Sequence, residues 1–169
     1  MKKVLLLTLA CLMISSVAMA DHLGVYSDCT GSSCLLAAGF NNGATAVVHK
    51  FSLGATYSRW KTTFPAGSNV FGFTTQNSYP FIGNSATDIS VAYGTCISGS
   101  FCIGTFTAIL APGEVVLSAA DGQPTVLWAD CDFGEFAGTG GSAWVGLTGD
   151  CREVATEQST WGSVKALYR

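Results

Sequence analysis

Charge is scarce in this sequence. Asp, Glu, Lys and Arg together make up 11% of it, and His22 and His49 are its two histidines. Eight Lys and Arg residues face eleven Asp and Glu, so the chain lacks the basic stripe that nucleic acid or anionic lipid requires. Imidazole chemistry has little to work with. His22 lies near the start of the processed chain, where order is usually poor, and the alternation around His49 turns it inward beside Trp60, the setting of a hydrogen-bonded core histidine. No CxxC pair occurs, which removes the common zinc frameworks. No G-x-S-x-G elbow occurs either, and without a base beside a nucleophile a triad hydrolase has no footing. No catalytic residue is assigned.

What the chain does have begins with an export leader. Lys2 and Lys3 precede an apolar run over residues 4–17, and Ala18-Met19-Ala20 supplies a small-x-small cleavage site ahead of Asp21. The run is short for ~30 Å of hydrocarbon, so residues 1–20 read as a removed signal peptide rather than an anchor. The expected location is secreted or periplasmic, and the mature protein is not expected to be an integral membrane protein. Lipid attachment at Cys11 is disfavoured by Thr8 and Leu9 before it. Loss of the leader takes two cations with it, leaving 149 residues with six Lys and Arg against eleven Asp and Glu, a net charge of −5. That length suits one domain with a substantial core, residues 21–157, followed by a tail, residues 158–169.

Six cysteines survive processing: Cys29, Cys34, Cys96, Cys102, Cys131 and Cys151. An even number in an exported domain points to disulfides. Fifteen pairings exist for six cysteines. Proximity favours Cys29–Cys34, Cys96–Cys102 and Cys131–Cys151, whereas a longer-range set tying the amino-terminal segment to the body would stabilise more.

Strand signals dominate the body. Residues 45–53 and 56–64 flank Gly54-Ala55, which reads as a hairpin turn. In that register Lys50 faces Arg59, and Val47, His49, Phe51, Trp60 and Thr62 form the inward face. Further strands are expected over residues 69–74, 87–93, 101–110, 114–119 and 125–130, separated by Pro-, Gly- and Asn-rich turns. Residues 89–113 carry no charge, yet their glycines, Pro112 and hydroxyl residues fit two buried strands joined by a turn better than a membrane span. The fold class is therefore all-β: a single disulfide-linked antiparallel β-sandwich, immunoglobulin-like or jelly-roll-like, with a closed barrel as the alternative. A short C-terminal helix is expected over residues 161–168, capped by Thr160, with Trp161, Val164 and Tyr168 on one stripe and Lys165 and Arg169 in its last turn.

Several constellations invite chemistry. Gly138-Thr139-Gly140-Gly141-Ser142-Ala143 formally fits a dinucleotide fingerprint, but Trp144-Val145 after it reads as a strand rather than a helix, so a flexible loop is expected. Asp130, Asp132 and Glu135 could surround a calcium ion with help from nearby carbonyls; a solvated loop is the plainer expectation, and no other cofactor is implied. The same carboxylates raise the alternative of a carbohydrate-active hydrolase, which needs two carboxyls facing across a cleft. Trp128 could then stack on a sugar, although a hairpin at Asp121-Gly122 would place it in the core with Val115, Leu117 and Val126. Lys50, Arg59 and Lys61, with Tyr57, form a candidate ligand surface for an anionic cell-envelope polymer or glycan.

The mature start, His22-Leu23-Gly24-Val25-Tyr26-Ser27-Asp28, and the end, Thr160-Trp161-Gly162-Ser163-Val164-Lys165-Ala166-Leu167-Tyr168-Arg169, resemble a group of uncharacterised exported bacterial proteins ending in T-W-G-x-[IV]-K-x-[LM]-Y. The resemblance implies bacterial export and brings no activity, substrate or cofactor. Taken together, the sequence reads as an exported non-catalytic binding or structural module. Its tail either docks on the domain through Trp161, Val164 and Tyr168 or is presented as a recognition signal.

Overall fold

The computed structural model describes residues 22–146. The leader, Cys151 and the expected helix with Trp161, Val164 and Tyr168 lie outside the described residues.

Ten strands account for most of the described chain: β1 (His22–Tyr26), β2 (Leu35–Leu36), β3 (Gly39–Thr63), β4 (Asn69–Thr75), β5 (Phe81–Asn84), β6 (Asp88–Leu110), β7 (Gly113–Ser118), β8 (Val126–Ala129), β9 (Glu135–Gly140) and β10 (Ser142–Val145). A single 3-10 turn, Gln76–Ser78, separates β4 from β5. No helix among the described residues is long and apolar enough to cross a membrane. The fold is nearly all-β and sandwich-like, as its alternating segments require.

Two very long strands organise it. β3 and β6 run antiparallel along almost their whole length, from Gly39 opposite Leu110 to Trp60 opposite Ile89. The other edge of β3 takes β1, then β8, then β7 in turn. β9 bridges β8 and β1, closing a ring of four strands, while β7 carries β10, and β10 carries β2. Inward positions follow the period of two: Ser58, Trp60 and Thr62 on β3, and Ile89, Val91 and Tyr93 on β6, are buried while their neighbours are not. The core runs through Leu23, Val47, Trp60, Ile103, Phe106 and Leu117.

The expected hairpin at Gly54-Ala55 does not form. Both halves of it belong to β3 and share β6 as partner, so Lys50 does not face Arg59. In its place β3 bends, with register shifts clustered between His49 and Tyr57. The disulfide Cys96–Cys131 passes over Gly54, where a Cβ would stand 2.5 Å from the Cys131 sulfur and 3.0 Å from the Cys96 sulfur. The strands expected over residues 87–93 and 101–110 are likewise joined without a turn into β6. A hairpin at Asp121-Gly122 is also absent as a pairing, because β7 and β8 lie one after the other along β3 instead of against each other.

Pairing by proximity is overturned as well. The structure joins Cys29 to Cys102 and Cys96 to Cys131, over separations of 73 and 35 residues, and Cys34 is also disulfide-bonded. Loops of that length remove about 4 kcal/mol of chain entropy each from the unfolded state in the loop-closure account. The first bridge ties the segment after β1 to β6, and the second ties Cys96 of β6 to the turn between β8 and β9. Crosslinks of this kind belong to an oxidising compartment.

Candidate functional site

The residues singled out from sequence are dispersed by the fold. Arg59 donates from two guanidinium nitrogens to Asp88, at 2.8 Å for the Nε contact, and Lys61 reaches Asp121 at 2.8 Å. Lys50 lies beyond the bend with its ammonium 4.3 Å from the centre of the Tyr26 ring. Tyr57 meets the Ser90 hydroxyl at 3.3 Å. Each member of the expected basic patch thus has a local partner, and the hairpin that would have assembled them is absent. The hydrogen bonds from Arg59 hold the Asp88 carboxyl below its ordinary value of 3.8, and the same contact raises Arg59.

Asp130 organises a turn. Its Oδ1 accepts from the backbone N–H of Asp132 at 3.0 Å and of Gly134 at 2.8 Å, which is how a short carboxylate side chain normally fixes a loop. Among the described residues no three His, Cys, Asp or Glu side chains are grouped to hold a metal ion. Glu135 opens β9 opposite Ala129. Trp128 is 8% exposed, stacks on Phe136 at 5.0 Å and meets His49 edge-on at 6.1 Å; it is a core ring, not a platform.

His22 is ordered, contrary to expectation. It starts β1 opposite Lys50, is 5% exposed, and its Nδ1 is 2.9 Å from the Thr139 hydroxyl. The glycine run around it is strand, not flexible loop. A Cβ at Gly140 would stand 2.0 Å from the Leu117 carbonyl oxygen, and one at Gly141 2.8 Å from the His22 ring. Close strand approach is what these glycines permit.

A feature missed in the sequence is an apolar cleft of about 550 Å³ on the open side of β6. β4 pairs with β6 through residues 69–75 and β5 through residues 81–84, and neither has a second partner strand among the described residues. Phe64, Val70, Phe71, Phe73, Phe81 and Ile89 line the cleft, with Asn84 and Ser85 at its rim. Phe73 forms its floor, in ring contact with Phe106, Phe81 and Trp60 at 4.8, 5.9 and 6.1 Å. A Cβ at Gly72 would meet nothing within 4 Å, so the floor is open there. Phe71, at the bulge between Val70 and Gly72, is 62% exposed, and Ile82 on β5 is 76% exposed.

No charged residue lines this cleft, so it holds no pair of carboxylates for glycoside hydrolysis and no imidazole or thiol for acyl transfer. It can bury apolar surface and, along β4 and β5, satisfy backbone hydrogen bonds. The signal was legible: between Lys61 and Asp88 the sequence carries no charge. Edge strands are normally guarded by charge.

No family model matches the sequence, and no curated protein does. Among solved structures, the chain is similar to a non-cellulosomal cohesin from the hyperthermophilic archaeon Archaeoglobus fulgidus, with 12% identity over 76% of this chain and 92% of the other at a TM-score of 0.53. It is also similar to a chain of a type I cohesin–dockerin complex from Clostridium thermocellum, with 11% identity over 75% of this chain and 93% of that one at a TM-score of 0.48. The likeness is one of fold: a sheet-built sandwich of cohesin type.

Proposed function

We propose that the domain is an exported, non-catalytic binding module whose partner is a protein, and that it takes an apolar polypeptide segment in the cleft between β4 and β5. The observation that carries this reading is the uncharged, exposed double edge: Val70, Phe71, Phe81 and Ile82 stand in the open beside unpaired strand backbone. Apolar surface rimmed by polar groups marks an interaction site, and an open edge recognises polypeptide by adding a strand to it or by seating side chains beside it. The carboxylates of Asp130, Asp132 and Glu135 do not line this cleft.

Burying one phenylalanine contributes about 2 kcal/mol. Phe71→Asp is therefore expected to weaken capture of envelope proteins by the mature chain more than tenfold. Leu35→Asp, an exposed change on β2, should leave capture intact. Quantitative capture by the three proteins checks this; an identical captured set for Phe71→Asp would remove the cleft from the account.

A further inference from the structure

We infer that Asn42 is a site of spontaneous modification, at which the Gly43 backbone nitrogen closes on the Asn42 side chain and converts it to a mixture of aspartate and isoaspartate.

The chemistry sets the requirements. The nitrogen of the following residue attacks the asparagine Cγ, the Cγ–Nδ2 bond breaks, and the proton of the attacking N–H leaves with the amide as ammonia. Water then opens the resulting cyclic imide at one or the other carbonyl, giving an aspartyl or an isoaspartyl linkage. Nothing is oxidised or reduced. The side chain must be free to turn back on the chain and open to water. The attacking nitrogen must be uncrowded and outside any strand ladder.

Asn42 meets these conditions together. It is exposed on β3 and is followed by a residue with no Cβ to shield the nitrogen. The ladder with β6 passes from Asn42 opposite Thr107 straight to Thr45 opposite Phe106, so Gly43 and Ala44 bulge out without partners. On the other edge of β3 the pairing with β1 stops at Ala46. Neither ladder therefore holds the Gly43 N–H. With φ at +74°, Gly43 occupies a region that glycine enters at little cost, and a bulge leaves the backbone room to rotate toward ring closure. The Thr107 hydroxyl donates to Asn42 Oδ1 at 3.5 Å, the outer limit of a hydrogen bond. Such a contact polarises the carbonyl and leaves Nδ2, the departing group, unheld.

Related positions each fail on one condition. Asn41 is 4% exposed, and its Nδ2 donates to the carbonyls of Ala37 and Gly39 at 2.8 and 3.1 Å. Asn77 donates to the Tyr79 hydroxyl at 3.0 Å, and Asn84 Oδ1 accepts from the Ala86 N–H at 2.8 Å. Asn69 precedes Val70, whose branched side chain crowds the nitrogen. Asp121 also precedes a glycine, but its carboxylate is paired with Lys61 at 2.8 Å, and an ion-paired carboxylate resists nucleophilic attack. Selectivity thus comes from the bulge and the hydrogen bonds, not from the dipeptide alone. The product places a new negative charge on an exposed position. Its isoaspartyl form lengthens the main chain at a point where β3 already carries residues in excess of β6.

Ageing the oxidised full-length protein at mildly alkaline pH, with peptide mapping by mass spectrometry that separates aspartyl from isoaspartyl products, tests this. Asn42 should convert at least tenfold faster than Asn41, Asn69, Asn77 and Asn84, with isoaspartate the larger share. Gly43→Ala should slow the conversion at least tenfold. Because a side chain at positive φ also disturbs the bulge, Asn42→Gln serves as a second variant. Its longer side chain would have to close a larger ring, so that peptide should stay unmodified over the same period. Comparable conversion at Asn42 and at the other asparagines would overturn the inference. So would conversion to aspartate without isoaspartate, which would mean direct attack by water with no part for Gly43.

Discussion

Asp88 opens β6, and Arg59 on β3 closes on it with two nitrogens. The contact holds the carboxyl below its ordinary value, and the sign of its pH effect follows. A carboxylate depressed in the folded state stabilises above its unfolded pKa, and that contribution drains away as pH falls through the folded value. Urea midpoints of the wild type should thus decline below about pH 4. Asp88→Asn should be the less stable protein at pH 7, with the gap narrowing toward pH 2. A gap constant over that range would contradict the assignment. Trp60 and Thr62 were legible from alternation, because that part of β3 has one buried face; Val47 and His49 are buried as expected, but Ala46 and Val48 between them are buried too, so the period of two fails there. His22 was not legible, since its burial comes from β9 and Thr139, 117 positions away.

The bend in β3 belongs to the scale of elements. Two alternating runs around Gly54-Ala55 carry every local sign of a hairpin, yet φ at Gly54 is +149° and the strand continues. Both runs share β6 as their partner, a long-range pairing that local sequence does not encode. Gly54→Ala puts a methyl group against the Cys96–Cys131 bridge. Its expected cost is about 1–3 kcal/mol, read as a fall in the urea midpoint of oxidised protein. In a Cys96→Ala/Cys131→Ala background the same substitution should cost markedly less, and an equal cost there would show that backbone strain alone is responsible. The extents of β4, β7 and β8 were readable to within a residue or two, whereas β5, β9 and the fusion of two expected strands into β6 were not. β9 is rich in glycine and β5 is only four residues long, so neither offers an apolar period.

At the scale of the molecule, composition reached the right class: few charges, many glycines and paired cysteines belong to a crosslinked sheet protein. It did not reach the topology, which is set by a ring of strands and two bridges joining residues far apart in sequence. The site sought among charged residues lies instead where charge is missing. A stretch without charge from residue 62 to residue 87 becomes two edge strands and an aromatic cleft. A photo-crosslinking phenylalanine analogue at position 71, compared with the same analogue at position 35, asks directly what covers the cleft. The account predicts adducts with a partner protein at 71 and none above background at 35. Equal yields at the two positions would contradict it.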